Sequence, residues 1–494
     1  MPGPGAADKL ARWRARFGQQ HAHAAVHGLE ERHPLLSAKR RFNREQIWVL
    51  RVVATILLTG FVFAPIETLI ILNGLFILHC MTVFALRGAL LYLSVKERNS
   101  GHQLPQGNSL DDDTLPIVTI LCPMYKEEAG LPGLVDALSR LDYPITKLDI
   151  KIILEADDQG TIGLARTLCQ SAPYDIIITP DIGPRTKPKA CNYALMSALG
   201  ELVVIYDAED RPEPGQLRLA ANSFAQLPDS VACLQARLNY YNREDSWITR
   251  LFAIEYALLF DLVLPGLDSL GAPLPLGGTS NIFRIHHLVA VGAWDPYNVT
   301  EDADLGLRMA AAGLSSRMLK STTYEEATKS VRPWLRQRSR WIKGYLQTWV
   351  VHARIKLSDR GWPFHLTLHF LVGSVVVAAF FNPIFWALYA LWLAGAGAWI
   401  DPLFPSPLDG IATFALLAGN FFHIWLFMLA PMQRQWHDLV PYALLAPIYW
   451  TLQSIAGYKA LWQFIVKPHY WEKTDHGCGE RAATVFARAQ RESV

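Results

Sequence analysis

Residues 201–210 read ELVVIYDAED, an apolar run over Glu201–Tyr206 that releases three carboxylates at its exit. A short apolar run bounded by polar residues is the pattern of a strand covered on both faces, as in a parallel sheet. Three similar runs precede it, at Pro116–Met124, Leu148–Glu155 and Tyr174–Thr179, with helix-like stretches such as 130–140 and 187–199 between them. Strand and helix in alternation predict an α/β domain built on a mostly parallel sheet. Such sheets bind ligands beyond the carboxyl ends of their strands. The polar residues fall there: Tyr125-Lys126-Glu127, Asp157-Asp158 and Asp207-Ala208-Glu209-Asp210.

On either side of this polar middle the chain is strongly apolar. Residues 47–66 and 68–93 are long enough to cross a bilayer as two helices, joined by a tight hairpin at Pro65-Ile66-Glu67. Lys39, Arg40, Arg41 and Arg44 precede the pair, and Lys96 and Arg98 follow it. The positive-inside rule therefore places both flanks and the polar middle in the cytosol. Residues 331–355 mix aromatic with basic side chains at helical spacing, which predicts an amphipathic helix at the membrane surface. Apolar stretches follow at 364–400, 410–432 and 438–466. The first carries Asn382-Pro383 at its middle and is too long for one upright helix, so it reads as two spans. Four C-terminal spans return the tail to the cytosol, as Lys467, Lys473 and Arg481 favour; one tilted helix in place of two would put it outside.

The expected layout is a tail over 1–45, two spans over 46–95, a linker over 96–114 and the α/β domain over 115–330. The amphipathic helix then occupies 331–362, about four spans 363–466, and a second tail 467–494. About forty polar residues ahead of the first apolar run argue against a cleavable signal peptide. His21, His23 and His27 in that stretch fit a solvated tail better than a metal site. A net charge of +2 over 494 residues argues against a nucleic-acid partner. Six scattered cysteines, with no CxxC pair, point neither to zinc nor to a disulfide framework and suit a reducing compartment.

Three strings can carry chemistry. Asp207 and Glu209, two apart at a strand exit, can reach one Mg²⁺ or Mn²⁺, although a solvated acidic turn explains them equally well. Glu301 and Asp302 follow Thr300 at the start of a helix, where acids suit the helix dipole; Asp302 can serve as a general base only if it faces the same cleft. Gln337, Arg340 and Trp341 share one helical face, a cation for pyrophosphate beside an indole for a sugar, or else interfacial anchors.

In order, PMYKEE, EADD, TKPKACN, DAED, GGTSN, TED and QRSRW resemble the motif series of processive family 2 glycosyltransferases, the cellulose, hyaluronan and chitin synthase superfamily, in its bacterial exopolysaccharide branch. The likeness covers about residues 45–477. It implies a cytosolic GT-A (Rossmann-like) domain between N- and C-terminal transmembrane helices of an integral inner- or plasma-membrane protein. It further implies polymerisation of a β-linked glycan from a nucleotide sugar, UDP-linked by default. Pro123, Tyr125, Glu127 and Asp157 would then meet the donor nucleotide, and Lys187 or Lys189 the uridine or pyrophosphate. Asp207 and Glu209 would hold the metal, with Asp210 as the other candidate for its second carboxylate. Asp302 would be the base, beside Glu301. Gly278, Thr279, Ser280, Gln337 and Trp341 would border the acceptor and Arg340 the diphosphate, while Lys473 and Thr474 resemble part of a gating loop over the donor. The tail is too short for an attached cyclic-di-GMP receptor domain. A non-processive transferase acting on a lipid phosphate, and a transporter with a nucleotide-binding domain, are the rival readings.

Overall fold

The computed structural model describes residue 18 and residues 20–100 and 110–472. Two long helices precede the α/β domain, α1 (Arg44–Phe63) and α2 (Pro65–Ser100). The α/β domain follows with β1 (Val118–Met124), α3 (Leu131–Ser139), β2 (Leu148–Glu155), α4 (Gln159–Leu168), β3 (Tyr174–Thr179), α5 (Lys187–Leu195) and β4 (Leu202–Ile205). It continues through β5 (Arg211–Pro212), α6 (Gln216–Gln226), β6 (Val231–Tyr240), α7 (Trp247–Leu258), β7 (Asn281–Arg284), α8 (Glu301–Ala311) and β8 (Ser315–Glu325). The last helices are α9 (Val331–His352), α10 (Gly373–Leu391), α11 (Leu408–Met432) and α12 (Ala446–Val466).

The four expected strands are present, in parallel order β3-β2-β1-β4. Alternate side chains of these strands enter separate cores. Leu121, Ile153, Val203 and Ile205 pack on one face, and Ile120, Ile152, Leu154 and Val204 on the other. That two-sided burial is why the runs are apolar throughout. Beyond β4 the sheet is mixed rather than mostly parallel, since β7 pairs antiparallel with both β4 and β6. The chain winds from β1 to β3 in one direction and resumes at β4 on the other side of β1, which opens a crevice at the carboxyl ends of β1 and β4.

Among the described residues, five helical stretches are long and apolar enough to cross a membrane, against six expected. The difference lies at Asn382-Pro383, where α10 continues unbroken through Pro383 and the turn comes later, at Gly395, with φ of +97°. The last stretch also differs from an isolated span, because α12 packs alongside α9. Tyr449 near its start contacts Trp334 and Arg338, Ala456 and Ala460 meet Ile342, and the carbonyl of Ile465 near its end accepts from Arg41. Its opposite side exposes Ile448, Ile455, Trp462 and Ile465. The α9 helix, expected at the membrane surface, buries Trp334, Gln337, Arg338, Lys343 and His352 within the molecule.

The expected N-terminal tail folds onto the rest of the molecule where it is described. A helix over 20–32 buries Ala22, Ala25, Val26 and Leu29 against the α/β domain. Asn192 donates to the Ala25 carbonyl, Tyr297 meets His27 at 3.2 Å, and Asp295 accepts from the Ala38 amide. His27 is therefore part of a packed contact, which replaces both earlier readings of that histidine.

Candidate active site

The crevice between β1 and β4 is the mouth of a cavity of about 1190 Å³. Pro123, Tyr125 and Glu127 line it from the end of β1, and Asp207 and Glu209 from the end of β4. Tyr125 donates to Asp157 at 3.1 Å, and Arg185 reaches the same carboxylate at 2.9 Å. Asp158 turns away, accepting from the Lys126 amide and capping α4 at the Thr161 amide. Of the adjacent acids, then, only Asp157 remains for a ligand.

The two lysines of the TKPKACN loop part company. Lys187 enters the cavity and donates to Asp207 Oδ2 and to the Gly278 carbonyl, both at 2.7 Å. Burial opposes its charge, yet Asp207 and Glu301 hold the ammonium protonated, above its ordinary value. Lys189 is instead buried behind the loop, where it pairs with Glu155 at 2.9 Å and donates to the Pro180 and Ile182 carbonyls. Helical geometry explains this, since residues two apart on α5 point in different directions.

Asp210 lies buried behind the cavity wall, with Oδ1 left without a hydrogen-bond partner and Oδ2 engaged by the fold. It accepts from the Asp207 amide at 2.7 Å and from the Thr279 hydroxyl, and burial first, then Asp207 and Glu209, push its carboxyl well above the usual range. Asp207 and Glu209 both face the cavity, a hard-oxygen pair that fits a divalent cation. The GGTSN loop divides similarly. Gly278 faces the cleft, where a Cβ would stand 3.2 Å from Asp302 Oδ2. The Thr279 hydroxyl is committed to Ile205 and Asp210, and the Ser280 hydroxyl to Thr323 at 2.7 Å, so neither side chain is offered to an acceptor.

Glu301 and Asp302 begin α8 and line the same cavity as Asp207. Thr300 makes no side-chain cap bond. The helix is anchored from behind instead, by Asp304, which pairs with Arg308 and accepts from His352 of α9 at 2.9 Å. Burial pushes the Asp302 carboxyl up, against the Ala303 amide and the charges of Lys187 and Arg340. Burial and then Asp302 push Glu301 up to about 8.

Gln337, Arg340 and Trp341 all reach the cavity from one face of α9. Gln337 Oε1 and Arg340 Nε are buried without a hydrogen-bond partner, as expected of groups poised for a ligand. The Arg340 guanidinium lies within electrostatic reach of Glu301, Asp302 and Asp207 and rests 4.6 Å from the ring centre of Trp471. Trp341 packs against Phe252 and Tyr256 with the Arg338 guanidinium 4.7 Å from its ring centre. Lys473 and Thr474 lie outside the described residues; just before them, Glu472 is held by Lys459 and Gln463, and the Tyr470 carbonyl by Lys343.

Two profiles of known families match this region: "Glycosyl transferase family 2" over residues 119–274, and "Glycosyl transferase family group 2" over residues 202–401. Residues 119–401 thus carry family 2 glycosyltransferase domain matches. The probable glycosyltransferase YdaM of Bacillus subtilis is 23% identical over 267 residues, 53% of this chain and 62% of that protein. A probable glucomannan 4-beta-mannosyltransferase of Arabidopsis thaliana is 24% identical over 51% of this chain and 48% of its own length. The beta-monoglucosyldiacylglycerol synthase of Synechocystis is 26% identical over 58% and 60%. The chain thus spans about half to three-fifths of the length of these curated relatives. Among solved structures, the mannosyltransferase PcManGT of Pyrobaculum calidifontis, in complex with GDP-Man and Mn²⁺, superimposes with a TM-score of 0.49 at 21% identity over 78% of this chain and 99% of that one.

Several residues of the transferase site carry little sequence signal. Glu325 ends β8 inside the cavity, in the electrostatic field of Asp210, Glu209 and Asp207. Arg185 stands just before the lysine loop. Glu255 was the most visible of them, a lone acid within the apolar stretch AIEYALLF. It pairs with Arg338 and accepts from Tyr449 at 2.7 Å and Gln453 at 3.0 Å, which binds α7, α9 and α12 together below Trp341. Glu255→Ala strands the Arg338 charge, so a loss of about 3–5 kcal/mol is expected. The unfolding midpoint of purified protein measures it, with the double variant Glu255→Ala/Arg338→Met expected to recover part of the loss.

Proposed function

We propose that the transferase is embedded in a membrane, takes a sugar from a nucleotide-sugar donor on the cytosolic side and adds it to a growing β-linked glycan. The observation that carries this is the path of the cavity. It does not close behind Trp341 but continues between α2, α10 and α11, three of the apolar helices. Each contributes one stripe at intervals of three and four residues: Cys80, Val83 and Arg87; Val375, Ala378, Asn382, Phe385 and Tyr389; Thr413, Leu416, Asn420, His423 and Phe427. The stripes lead to Asp401, past the far end of α10, and to Asp409 in the first turn of α11. Aromatic rings interleaved with amides and hydroxyls suit a sugar chain, which offers both apolar ring faces and hydroxyl groups.

In this reading the acceptor hydroxyl attacks the anomeric carbon, its proton passes to Asp302, and the bond to the nucleoside diphosphate breaks on the opposite side, inverting that carbon. Tyr125, Asp157 and Arg185 hold the nucleotide, while Lys187 and Arg340 face the leaving diphosphate. A divalent cation held by Asp207 and Glu209 would supply further positive charge there. The donor is a UDP-sugar by default, with GDP-mannose as a further candidate.

The mainly apolar lining of the membrane portion also favours a second reading, a single transfer to a lipid acceptor, as the name of the Synechocystis relative suggests. One experiment separates the two. Purified protein is incubated with UDP- and GDP-sugars, and products are sized and digested with linkage-specific hydrolases. A ladder of hydrolase-sensitive chains supports the polymerase, whereas a single glycolipid overturns it. In the same reactions Trp341→Ala is expected to lower incorporated sugar more than released nucleotide. An unchanged ratio would leave Trp341 a packing residue between Phe252 and Arg338.

A further inference from the structure

Arg87 lies on α2 and lines the cavity together with Glu255, Tyr256 and Trp341. Its level along the helix is set by a close backbone approach. Leu90, about 4.5 Å further along the axis, rests on Gly266 of the α/β domain, where a Cβ would meet the Leu90 carbonyl oxygen at 2.4 Å. Arg87 thus stands where the catalytic half of the cavity passes into the half lined by apolar helices.

Among the described residues no hydrogen bond or ion pair reaches its guanidinium, and the acid in its electrostatic reach, Glu255, is already engaged by Arg338, Tyr449 and Gln453. His423, facing the same cavity from α11, is likewise turned to its own helix, at the Gly419 carbonyl. A guanidinium has five donors and no acceptor, and a partly desolvated one needs oxygen partners. We propose that Arg87 binds product: its forked donors hold ring and hydroxyl oxygens of sugars that have just passed Trp341, keeping the chain in place between additions. This rests on the polymerase reading above and identifies where the polymer is gripped.

The test compares wild type, Arg87→Met and Arg87→Lys, each checked for monodispersity and unfolding midpoint. Product length is measured by size separation, and affinity for cellohexaose and mannohexaose by quenching of tryptophan fluorescence. Loss of a charge-assisted hydrogen bond is expected to weaken hexasaccharide binding and to shorten chains by about tenfold or more in Arg87→Met. Arg87→Lys, which keeps the charge without the fork, should fall between the two and reports the effect even if Arg87→Met folds poorly. Wild-type chain length and affinity in both variants would overturn the assignment, as would dependence on Arg87 of anionic-lipid binding alone. If wild type adds only one sugar, the polymerase reading fails, and Arg87 is then judged on hexasaccharide binding.

Discussion

Asp302→Asn is expected to reduce sugar transfer by about 10²–10⁴-fold, the usual consequence of removing a positioned base, while nucleotide still binds with near-normal affinity. The geometry behind this is specific. Asp302 Oδ2 faces Gly278 across the cleft, its other oxygen accepts from the Ala303 amide, and Lys187 bridges Gly278 to Asp207. The carboxyl is thus oriented by backbone on one side and open to an acceptor on the other. Its amide replacement keeps shape and hydrogen bonding but cannot take a proton. The pair it forms with Glu301 also sets a pH dependence. Both carboxyls are pushed up, Glu301 to about 8, so a fraction of the pair stays protonated near neutrality. Transfer should therefore rise with pH until the pair has released its protons, and fall as the medium is acidified. Glu301→Gln should move that limb to lower pH. Parallel pH–rate profiles of wild type and Glu301→Gln would remove Glu301 from the titration, and near-normal turnover of Asp302→Asn would return that residue to a helix-start acid.

Chelation is expected to abolish transfer, and Asp207→Asn to reproduce the loss in the presence of metal. A cation at developing phosphate charge contributes several kcal/mol, or roughly 10²–10³-fold in rate. The pairing of Lys187 with Asp207 sharpens the prediction. An amide at 207 removes the metal's ligand and the lysine's partner together, so Glu209→Gln is the cleaner probe because it leaves that ion pair intact. Both variants should raise the metal concentration needed for half-maximal rate, with unfolding midpoints separating the effect from collapse of the fold. Full activity in excess EDTA would rule out a metal at this pair.

The sequence alone carried the four parallel strands, the apolar flanks and the position of the carboxylates at strand exits. Each of these is a local property. A strand covered on both faces must be apolar at every position, as Val203 and Val204 show by entering opposite cores. Other assignments needed the third dimension. Lys187 and Lys189 are equivalent in the sequence, but two residues of α5, about 200° of rotation, send the first to Asp207 and the second to Glu155. Asp210 looks as good a metal ligand as Glu209 until the fold is seen to bury it behind the cavity wall, its Oδ2 held by the Thr279 hydroxyl and the Asp207 amide, while Glu209 lines the cavity. Pro383 reads as a helix break, yet in an apolar helix packed against α12 and α9 the missing hydrogen bond is tolerated, and the chain turns where Gly395 can adopt a positive φ. Glu255, Glu325 and Arg87 are far apart along the chain and converge on one cavity. Local pattern determines which segments are strand, helix or apolar; which of their side chains meet a ligand depends on contacts between residues remote in sequence, and only the packed chain decides those.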